Sequence, residues 1–496
     1  MQGAAEGIPQ PFAIFAGRVP AVPIDAALRD ALVQAVGADH VRTTADDLGY
    51  YGTDRCRGDW TVDAGIVVLP KTVEEVQAVV SLCREAGAAI VPSGGRTGLT
   101  GAATATGGEV VLSLERMNRV LEVDTAAHTL RCEAGATVEQ VQMAAAAEGL
   151  LYPVDFAAKG SAQIGGSIAT NAGGVKVIRY GTTRVWVSGL DVVVASGELL
   201  HLGGPLVKDN TGYDLRQLFI GAEGTLGIIV GATMRLCAPP RGAVVALCSV
   251  SDDPSVLRLF TRVRKELPLQ AFECFDQGCL QHVLEHRGLT GKGPFAEPTA
   301  QHVLIEVEVE GSGEDAEEMA QDALTLCLAD AQDEGEIGDA VVAATGAQAR
   351  DLWEYREGIS ESLHAHTPHK SDIALPVLEV TAFLEQWRPA AARALPNAEA
   401  LVFGHVGDGN LHLNILKPSA QSVEDFVAEA KAFDEETYAL VERFGGSVSA
   451  EHGIGLLKRD HLHYSRSAGE LAMMRAIKAS LDPAGMFNPG KVLPPG

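Results

Sequence analysis

The stretch Pro92-Ser-Gly-Gly-Arg-Thr-Gly-Leu-Thr-Gly101 decides which fold the chain can adopt. It follows the apolar run 88–91, which is typical of a buried strand, and a glycine-rich loop in that place can turn its backbone amides toward a phosphate. The glycine spacing differs from the dinucleotide-binding fingerprint, and residues 109–114 predict another strand where that fold needs a helix. The loop therefore predicts a phosphate-binding α/β fold other than the Rossmann fold; a plain surface turn is the alternative that four glycines disfavour.

The residues before this loop predict a strand, a helix and a strand. Residues 66–69 form an apolar run that ends at Pro70, and Thr72-Val-Glu-Glu75 is a capping box that opens a helix. Residues 24–36 predict a further short helix. Residues 1–23 hold four prolines and little periodicity, which indicates an extended arm.

A second glycine-rich stretch runs from Gly160 to Gly174 and consists mostly of small residues. Small side chains allow a flat ligand to approach the backbone closely. Two isoleucines at four-residue spacing within it favour a short packed helix over a low-complexity loop. Hairpins are predicted at 120–132 and 190–202, and a change in composition at Pro239-Pro240 indicates a domain boundary.

The motif Gly404-His405-Val-Gly-Asp-Gly-Asn-Leu-His412 places two histidines on either side of a glycine turn. On one unbroken strand, residues seven apart point to opposite faces, whereas a turn lets both imidazoles converge. Glu451 and His452 stand in a third glycine-containing motif. Because two histidines and a carboxylate are a common divalent-metal set with open positions, His405, His412 and Glu451 are the predicted ligands, with zinc the expected metal. The alternative is a glycine-rich hairpin with satisfied core histidines.

The net charge of −26 excludes some classes of partner. The chain has 39 Lys and Arg against 65 Asp and Glu, whereas nucleic acids and anionic lipids are bound by basic surfaces. Its 496 residues exceed what one core accommodates, so two or three domains are expected. A substrate anion would need a local cationic pocket set against the global field.

The eight cysteines are scattered and form no Cys-x-x-Cys pair. This usage indicates a reducing compartment and no disulfide framework, and the cytoplasm is the expected location. The sequence shows no signal-peptide pattern at its start and no apolar run of membrane-spanning length.

Residues 241–440 alternate strands and helices with few glycine loops. Residues 303–309 alternate apolar and polar side chains, which predicts a half-buried strand, and residues 313–333 predict an acidic amphipathic helix. The segment 486–494 is too apolar for a solvated tail, and we expect it to dock on the fold.

Four motifs together resemble the vanillyl-alcohol-oxidase type of FAD flavoproteins: 92–101, 160–174, Gly221-Ala-Glu-Gly-Thr-Leu-Gly227 and Phe487-Asn-Pro-Gly-Lys491. The histidine motifs are similar to those of the D-2-hydroxyacid dehydrogenase branch, which includes D-lactate and glycolate dehydrogenase subunits. The likeness covers the chain from residue 45 to residue 496.

The resemblance implies an α+β protein of several parts. A PCMH-type FAD-binding domain of two α/β subdomains is expected at 61–240, and an α/β cap domain that covers the flavin and binds the substrate is expected at 241–440. Residues 1–60 would form an N-terminal arm and helix, and residues 441–496 a C-terminal segment that completes the active site.

Non-covalent FAD is the cofactor that the resemblance implies. Its phosphates would lie on residues 94–101, and Gly165, Gly166, Asn171 and Asn488 would contact the flavin ring. In covalent relatives a histidine follows the paired glycines of the first loop; Arg96 stands there, which excludes that histidyl linkage. The implied FAD-binding residues are Pro92, Gly94, Gly95, Arg96, Thr97, Gly98, Gly101, Pro153, Gly160, Ser161, Gly165, Gly166, Asn171, Gly173, Gly174, Glu223, Gly224, Ile228 and Asn488.

Arg356, Ser360 and Lys370 resemble the residues that hold the distal carboxylate in D-2-hydroxyglutarate dehydrogenases, with Ser360 in place of the threonine of some relatives. Arginine binds a carboxylate bidentately and lysine adds a point charge, so the chemistry agrees. In the alternative interpretation, Arg356 lies on an exposed helix face and pairs with Glu357 or Glu361.

The resemblance implies oxidation of D-2-hydroxyglutarate to 2-oxoglutarate, with hydride transfer to flavin N5. The metal would lower the pKa of the substrate hydroxyl, His452 would accept its proton, and Asn414 would orient the substrate. Electron-transfer flavoprotein or a quinone is the expected acceptor, a cytochrome stays open, and a homodimer is an open expectation.

Three alternatives remain at this point. The same chemistry could act on D-lactate, D-malate or glycolate. A metallohydrolase would use the histidine and glutamate set but leaves the glycine-rich first half unexplained. A flavin-free, non-catalytic subunit of a larger oxidoreductase is the third.

Overall fold

The computed structural model describes residues 24–56, 58–289, 291, 293–311, 313 and 315–494, so the arm expected at residues 1–23 lies outside the described residues. Three sheets organise these residues: a four-stranded first sheet, a five-stranded second sheet and a seven-stranded third sheet.

The first sheet has the strand order β1-β2-β4-β3, in which β2, β4 and β3 are parallel. Its strands are β1 (Val41–Arg42), β2 (Asp63–Val68), β3 (Ile90–Ser93) and β4 (Thr106–Ser113), and its helices are α1 (Ala26–Val36), α2 (Ala45–Tyr51) and α3 (Val73–Ala86). The predicted strand-helix-strand unit is thereby confirmed. The glycine loop leaves the carboxyl end of β3, the edge at which parallel α/β sheets bind their ligands.

The second sheet is antiparallel, with the order β5-β6-β9-β7-β8. It comprises β5 (Val120–Asp124), β6 (Thr129–Glu133), β7 (Val187–Val193), β8 (Leu199–Gly203) and β9 (Ile228–Arg235), with α4 (Val138–Ala147), α5 (Ile164–Thr170), α6 (Val177–Tyr180), α7 (Thr183–Trp186) and α8 (Arg216–Phe219). Both predicted hairpins and the short helix at Ile164 are confirmed. A reciprocal capping box between Thr137 and Gln140 fixes the start of α4.

One hydrophobic core joins the first two sheets and includes Met486 and Phe487 from the end of the chain. Phe487 pairs with Ile90 of β3 in a parallel bridge, which confirms that the C-terminal segment docks.

The third sheet is antiparallel, with the order β13-β10-β12-β11-β15-β16-β14. Its strands are β10 (Ala243–Val250), β11 (Leu269–Asp276), β12 (Gln301–Glu308), β13 (Asp339–Val342), β14 (Pro368–Ala374), β15 (Glu399–Gly404) and β16 (Asn410–Leu416). The helices of this half and of the C-terminal segment are α9 (Asp253–Glu266), α10 (Gln277–His286), α11 (Ala316–Asp333), α12 (Gly346–Glu357), α13 (Ile359–Ser362), α14 (Val380–Ala394), α15 (Val423–Arg443) and α16 (Ala468–Leu481).

Strand β12 corrects one prediction. We expected it to be half-buried, but every residue from Gln301 to Val307 is buried. Alternate residues of the neighbouring strand β10 belong to two separate hydrophobic clusters. This shows that helices and loops cover both faces of the third sheet. The alternation of polar residues in β12 therefore reflects buried polar contacts, such as the bond from Trp353 Nε1 to Glu306, at 2.9 Å.

Ion pairs join the second sheet to the third. Lys176 Nζ lies 2.6 Å from Glu306, and Arg179 lies 2.8 Å from Glu308, so the short helix α6 is held against the third sheet. None of the helices among the described residues combines the length and apolar composition that a bilayer span needs.

Candidate active site

A cavity of about 650 Å³ lies between the first two sheets and the third, within the size range of small-molecule sites. Its walls come from the loop after β3, from α5 and the residues that follow it, from the segment before β9, and from β14 to β16.

The glycines of the two glycine-rich stretches serve two purposes. A Cβ on Gly95 would lie 2.0 Å from the Ser161 carbonyl oxygen, and one on Gly174 would lie 1.8 Å from that of Asp155, so these positions let backbones pack together. Gly166 differs, because no atom lies within 4 Å of its hypothetical Cβ and the residue borders the cavity. A side chain there would fill space that a flat ligand needs.

Polar atoms without partners also face this region. Ser93 Oγ, Gln163 Oε1 and Ser167 Oγ are buried and have no hydrogen-bond partner among the described residues, and all three residues border the cavity. Buried polar groups are normally paired, so these atoms indicate that the cavity holds a polar ligand. The wall therefore fits a cofactor such as FAD.

Arg96 borders the cavity in a left-handed conformation with φ 55°. Its guanidinium lies 4.5 Å from the ring centre of Tyr50 and 4.7 Å from that of Tyr51, so cation–π contacts with α2 hold it.

Most of the residues expected to bind FAD border the cavity. These are Pro92, Gly94, Gly95, Arg96, Thr97, Gly98, Gly165, Gly166, Gly173, Gly174, Glu223, Gly224 and Ile228. The other six, Gly101, Pro153, Gly160, Ser161, Asn171 and Asn488, are not part of its wall.

Asn171 and Asn488, which remain predicted flavin-ring contacts, hydrogen-bond backbone groups next to the wall. Asn171 Oδ1 accepts the backbone N–H of Arg184, and Asn488 Nδ2 donates to the carbonyl oxygens of Ala102 and Glu223.

The glycine turn between β15 and β16 brings His405 and His412 together, with ring centres 5.5 Å apart. The ring of His452 lies 6.0 Å from that of His412. Glu451 Oε1 is 3.8 Å from Nε2 of His412 and 3.8 Å from Nε2 of His452. Three imidazoles and a carboxylate thus converge on the same cavity.

Asp372 is a site residue that sequence reasoning missed. One donor atom from each of Asp372, His412, Glu451 and His452 lies within 4.8 Å of the others, whereas His405, which we expected as a ligand, stands outside this group. The available signal was strand alternation, because Asp372 lies two residues from Lys370 on β14 and pairs with His412 on β16.

The Asp372 carboxylate is already engaged by the protein. Oδ2 accepts the backbone N–H groups of residues 450, 451 and 452 at 3.1 to 3.2 Å, and Oδ1 accepts Asn410 Nδ2 at 2.7 Å. Burial would raise the pKa of this carboxyl, but His452, Lys458 and His412 lower it overall. Asp372 therefore holds the loop that carries Glu451 and His452.

Burial also shifts the pKa values of the other groups of the cluster. It lowers the pKa of His412 and of His452 in spite of the Asp372 charge, so both rings are neutral and carry a free lone pair at neutral pH. Burial also raises the pKa of Glu451 to about 7. Neutral imidazoles beside an ionisable carboxylate fit a divalent metal, whose positive charge favours the ionised carboxylate.

Arg356 is buried at the end of α12, with 6% of its surface exposed. Its Nη2 lies 2.8 Å from Glu273 Oε2, and its guanidinium lies 4.9 Å from the ring centre of Phe403. The alternative of an exposed arginine paired with Glu357 or Glu361 is therefore wrong.

The other expected substrate residues border the same cavity as Arg356. Lys370 and Asn414 stand directly opposite each other on β14 and β16, and Ser360 lies on α13. Lys370 has no ion-pair partner among the described residues, and desolvation lowers its pKa. Arg356 Nε, a donor, and Asn414 Oδ1, an acceptor, are buried without partners in the described chain, so this end of the cavity can donate to an anion at Arg356 and accept a hydroxyl at Asn414.

Two family descriptions match the sequence. "FAD binding domain" matches residues 64–203, and "FAD linked oxidases, C-terminal domain" matches residues 239–492. Similar proteins include D-2-hydroxyglutarate dehydrogenase of Xanthomonas citri pv. viticola, 47% identical over 93% of this chain and 96% of the relative. The mitochondrial D-2-hydroxyglutarate dehydrogenase of Danio rerio is 38% identical over 88% of this chain and 80% of the relative.

Solved structures show the same fold at low identity. p-Cresol methylhydroxylase with substrate bound matches with a TM-score of 0.73 and 16% identity over 94% of this chain and 96% of that chain. Alkyldihydroxyacetonephosphate synthase matches with a TM-score of 0.71 and 16% identity over 97% of this chain and 90% of that chain. The expected PCMH-type fold is confirmed.

Proposed function

The chain belongs to the FAD-linked oxidases and, among them, to the FAD-dependent D-2-hydroxyacid dehydrogenases, and from this premise we propose that it oxidises D-2-hydroxyglutarate to 2-oxoglutarate. The observation that carries the choice of substrate is the presence of Arg356 and Lys370 in the same cavity as the histidine cluster. A dicarboxylate offers one carboxylate to the cations and a hydroxyacid end to the cluster.

Rival hydroxyacids fit this cavity less well. D-lactate and glycolate have no distal carboxylate, so they would forgo the ion pair that Lys370, a cation bordering the cavity, can form with that group. D-malate has a distal carboxylate, but its chain is one methylene shorter than that of D-2-hydroxyglutarate. A metallohydrolase or a flavin-free subunit is set aside, because the chain belongs to a family of FAD-dependent oxidoreductases.

His405, His412 and Glu451 would hold a divalent metal. Asp372 is occupied by backbone amides, whereas His405 Nδ1 is bonded to Glu273 at 2.8 Å, which leaves its Nε2 for a ligand. The metal would supply Lewis acidity toward the substrate hydroxyl, and zinc is the expected ion.

His452 would accept the hydroxyl proton. Its Nδ1 lies 3.6 Å from Asp372 Oδ2, so the carboxylate orients the ring and directs Nε2 toward the side where Glu451 lies. Because burial keeps the ring neutral, its lone pair is available near neutral pH. Asn414 would orient the substrate through its unpaired amide oxygen.

FAD, when bound, supplies the chemistry that takes up two electrons as a hydride at N5. The residues of this chain place the C2–H bond and exclude water from it. We further propose that the electrons pass to an electron-transfer flavoprotein or a quinone, that the protein works in the cytoplasm, and that it forms a homodimer.

Anaerobic mixing of the FAD-loaded protein with substrate tests the proposal. D-2-Hydroxyglutarate should bleach the flavin absorbance rapidly, whereas D-lactate and the L enantiomer should bleach it much more slowly at equal concentration. Faster bleaching by D-lactate would contradict the substrate assignment, and no bleaching by any 2-hydroxyacid would contradict the reaction itself.

A further inference from the structure

Glu273 is a buried carboxylate beneath the wall of the cavity. It lies on β11, is 1% exposed, and is not part of the cavity wall itself. Its neighbour Cys274 pairs with Gly404 at the end of β15, which brings Glu273 close to His405. The carboxylate lies 2.8 Å from His405 Nδ1 and 2.8 Å from Arg356 Nη2.

We propose that Glu273 is one positioning residue shared by the two halves of the substrate site, the metal-ligand end at His405 and the distal-carboxylate end at Arg356. This inference rests on the proposed function, because it assigns roles to His405 and Arg356 that belong to that function.

At His405, Glu273 selects the tautomer. A carboxylate accepts and cannot donate, so Nδ1 carries a proton and Nε2 is the nitrogen left for a metal when the ring is neutral. Histidine ligands of metals generally donate their other N–H to such a partner, which fixes the ring and raises its basicity. Glu273 thereby prepares His405 as a ligand even though His405 stands outside the tightest donor group.

At Arg356, Glu273 holds the guanidinium in place. Nη2 is paired with the carboxylate and the guanidinium carbon lies over the Phe403 ring, so the group is held from two directions. Nε remains without a partner among the described residues. An arginine fixed in this way presents its remaining donors with little loss of side-chain entropy.

The location argues against a purely structural carboxylate. The neighbours Phe272, Cys274 and Phe275 are buried apolar residues, and an ion pair buried among them is often no more stable than apolar packing. Asp276 on the same strand is a matched comparison, because this buried carboxylate pairs with the half-buried Arg388, at 2.8 Å, and does not border the cavity.

The test compares Glu273→Gln with Asp276→Asn in the FAD-loaded protein. Zinc affinity is measured by competition with a chromophoric chelator, without turnover, and KM is measured separately for D-2-hydroxyglutarate and D-lactate. We expect E273Q to weaken zinc binding by roughly 10- to 100-fold. It should also raise KM for D-2-hydroxyglutarate by roughly tenfold more than KM for D-lactate. D276N should leave both quantities near wild type.

A second arm places E273Q in an Arg356→Met background, where the KM effect should vanish and the zinc effect should persist. E273Q with unchanged zinc affinity, or with an unchanged KM ratio, would overturn the shared role. If wild type binds zinc in a Glu273-dependent way but oxidises no 2-hydroxyacid, the proposed function fails separately. If E273Q does not fold, Glu273→Asp is measured instead, and wild-type values for both quantities in that shortened variant would overturn the proposal.

Discussion

His452 shows how much a single side chain depends on its partners. Its ring faces Asp372 on one side and Glu451 on the other, and burial keeps it neutral. We expect His452→Gln to lower the rate of flavin reduction by roughly 10²- to 10⁴-fold, because the hydroxyl proton loses its acceptor.

Single-turnover mixing under anaerobic conditions measures this rate, and the flavin spectrum checks that FAD remains bound. His463 is a suitable control, because it is exposed and its contacts, with the Asp460 carbonyl and the Tyr464 ring, are local to its own turn. A His452→Gln rate equal to that of His463→Gln would give His452 a structural role.

The residues that sequence could identify were those in motifs. His405, His412 and Glu451 stand beside glycines, and Arg356 and Lys370 match a family pattern. Asp372 and Glu273 stand in ordinary strand sequences, and only strand register shows that they face His412 and His405. Pairing between strands that are distant in sequence is not encoded in any local pattern, so these two residues were missed.

At the scale of elements, one carboxylate organises the loop after α15. Asp372 accepts three consecutive backbone N–H groups from residues 450–452 and so ties this loop to β14. We expect Asp372→Asn to weaken zinc binding and to speed hydrogen exchange of these amides, because a neutral acceptor holds them less tightly.

Asp434→Asn is the matched control. Asp434 also binds β14, through His369 at 2.8 Å, but does not border the cavity. Amide exchange at 450–452 as slow in D372N as in D434N would show that Asp372 does not hold the loop.

Strand β12 contains a buried histidine whose protonation should destabilise the third sheet. His302 lies between the rings of Phe275 and Phe295, and burial lowers its pKa to about 4. The unfolded chain, with the ordinary histidine pKa near 6.5, binds the proton more readily between these values. The stability that the folded protein has with a neutral His302 is therefore fully present above pH 6.5 and is lost as the pH falls toward 4.

His302→Phe should remove that dependence. Between pH 7 and pH 5 the free energy of unfolding should fall by roughly 2 kcal/mol more in wild type than in the variant. Denaturant titration at both pH values measures this difference. His286→Phe, at an exposed position of α10, should leave the wild-type dependence intact, and equal slopes in wild type and H302F would refute the assignment.

Element prediction succeeded where local patterns decide the outcome. The helix that begins after Thr72, the two hairpins and the glycine turn between β15 and β16 all follow from residues close in sequence. The burial of β12 could not be predicted, because it depends on helices that pack on both faces of the third sheet. Its buried polar residues produce an alternation that resembles a solvent-facing strand.

The whole molecule brings a glycine-rich cofactor wall and a histidine cluster to one cavity. It should therefore be possible to remove the metal without removing FAD. Dialysis against a chelator should abolish activity while FAD stays bound, and added zinc should restore it, because the proposed metal ligands lie on the third sheet and the C-terminal segment. Full activity with less than about one metal per ten chains would contradict metal dependence.

The choice of substrate depends on the whole cavity, because Arg356 and Lys370 border the same space as the histidine cluster although they lie on different elements. Glu273 already pairs Arg356, so D-lactate leaves only Lys370 without a counter-charge. An exposed lysine without a counter-charge costs little free energy, so we expect the choice of substrate to depend on the attraction of the distal carboxylate.

The most direct test is kcat/KM for D-2-hydroxyglutarate, D-malate and D-lactate in wild type and Arg356→Met. The account predicts that the variant loses about 2–5 kcal/mol of transition-state stabilisation on D-2-hydroxyglutarate, far less on D-lactate, and an intermediate amount on D-malate. Equal losses on D-lactate and D-2-hydroxyglutarate would show that Arg356 holds the common carboxylate or only the fold, and would contradict the assignment of D-2-hydroxyglutarate as substrate.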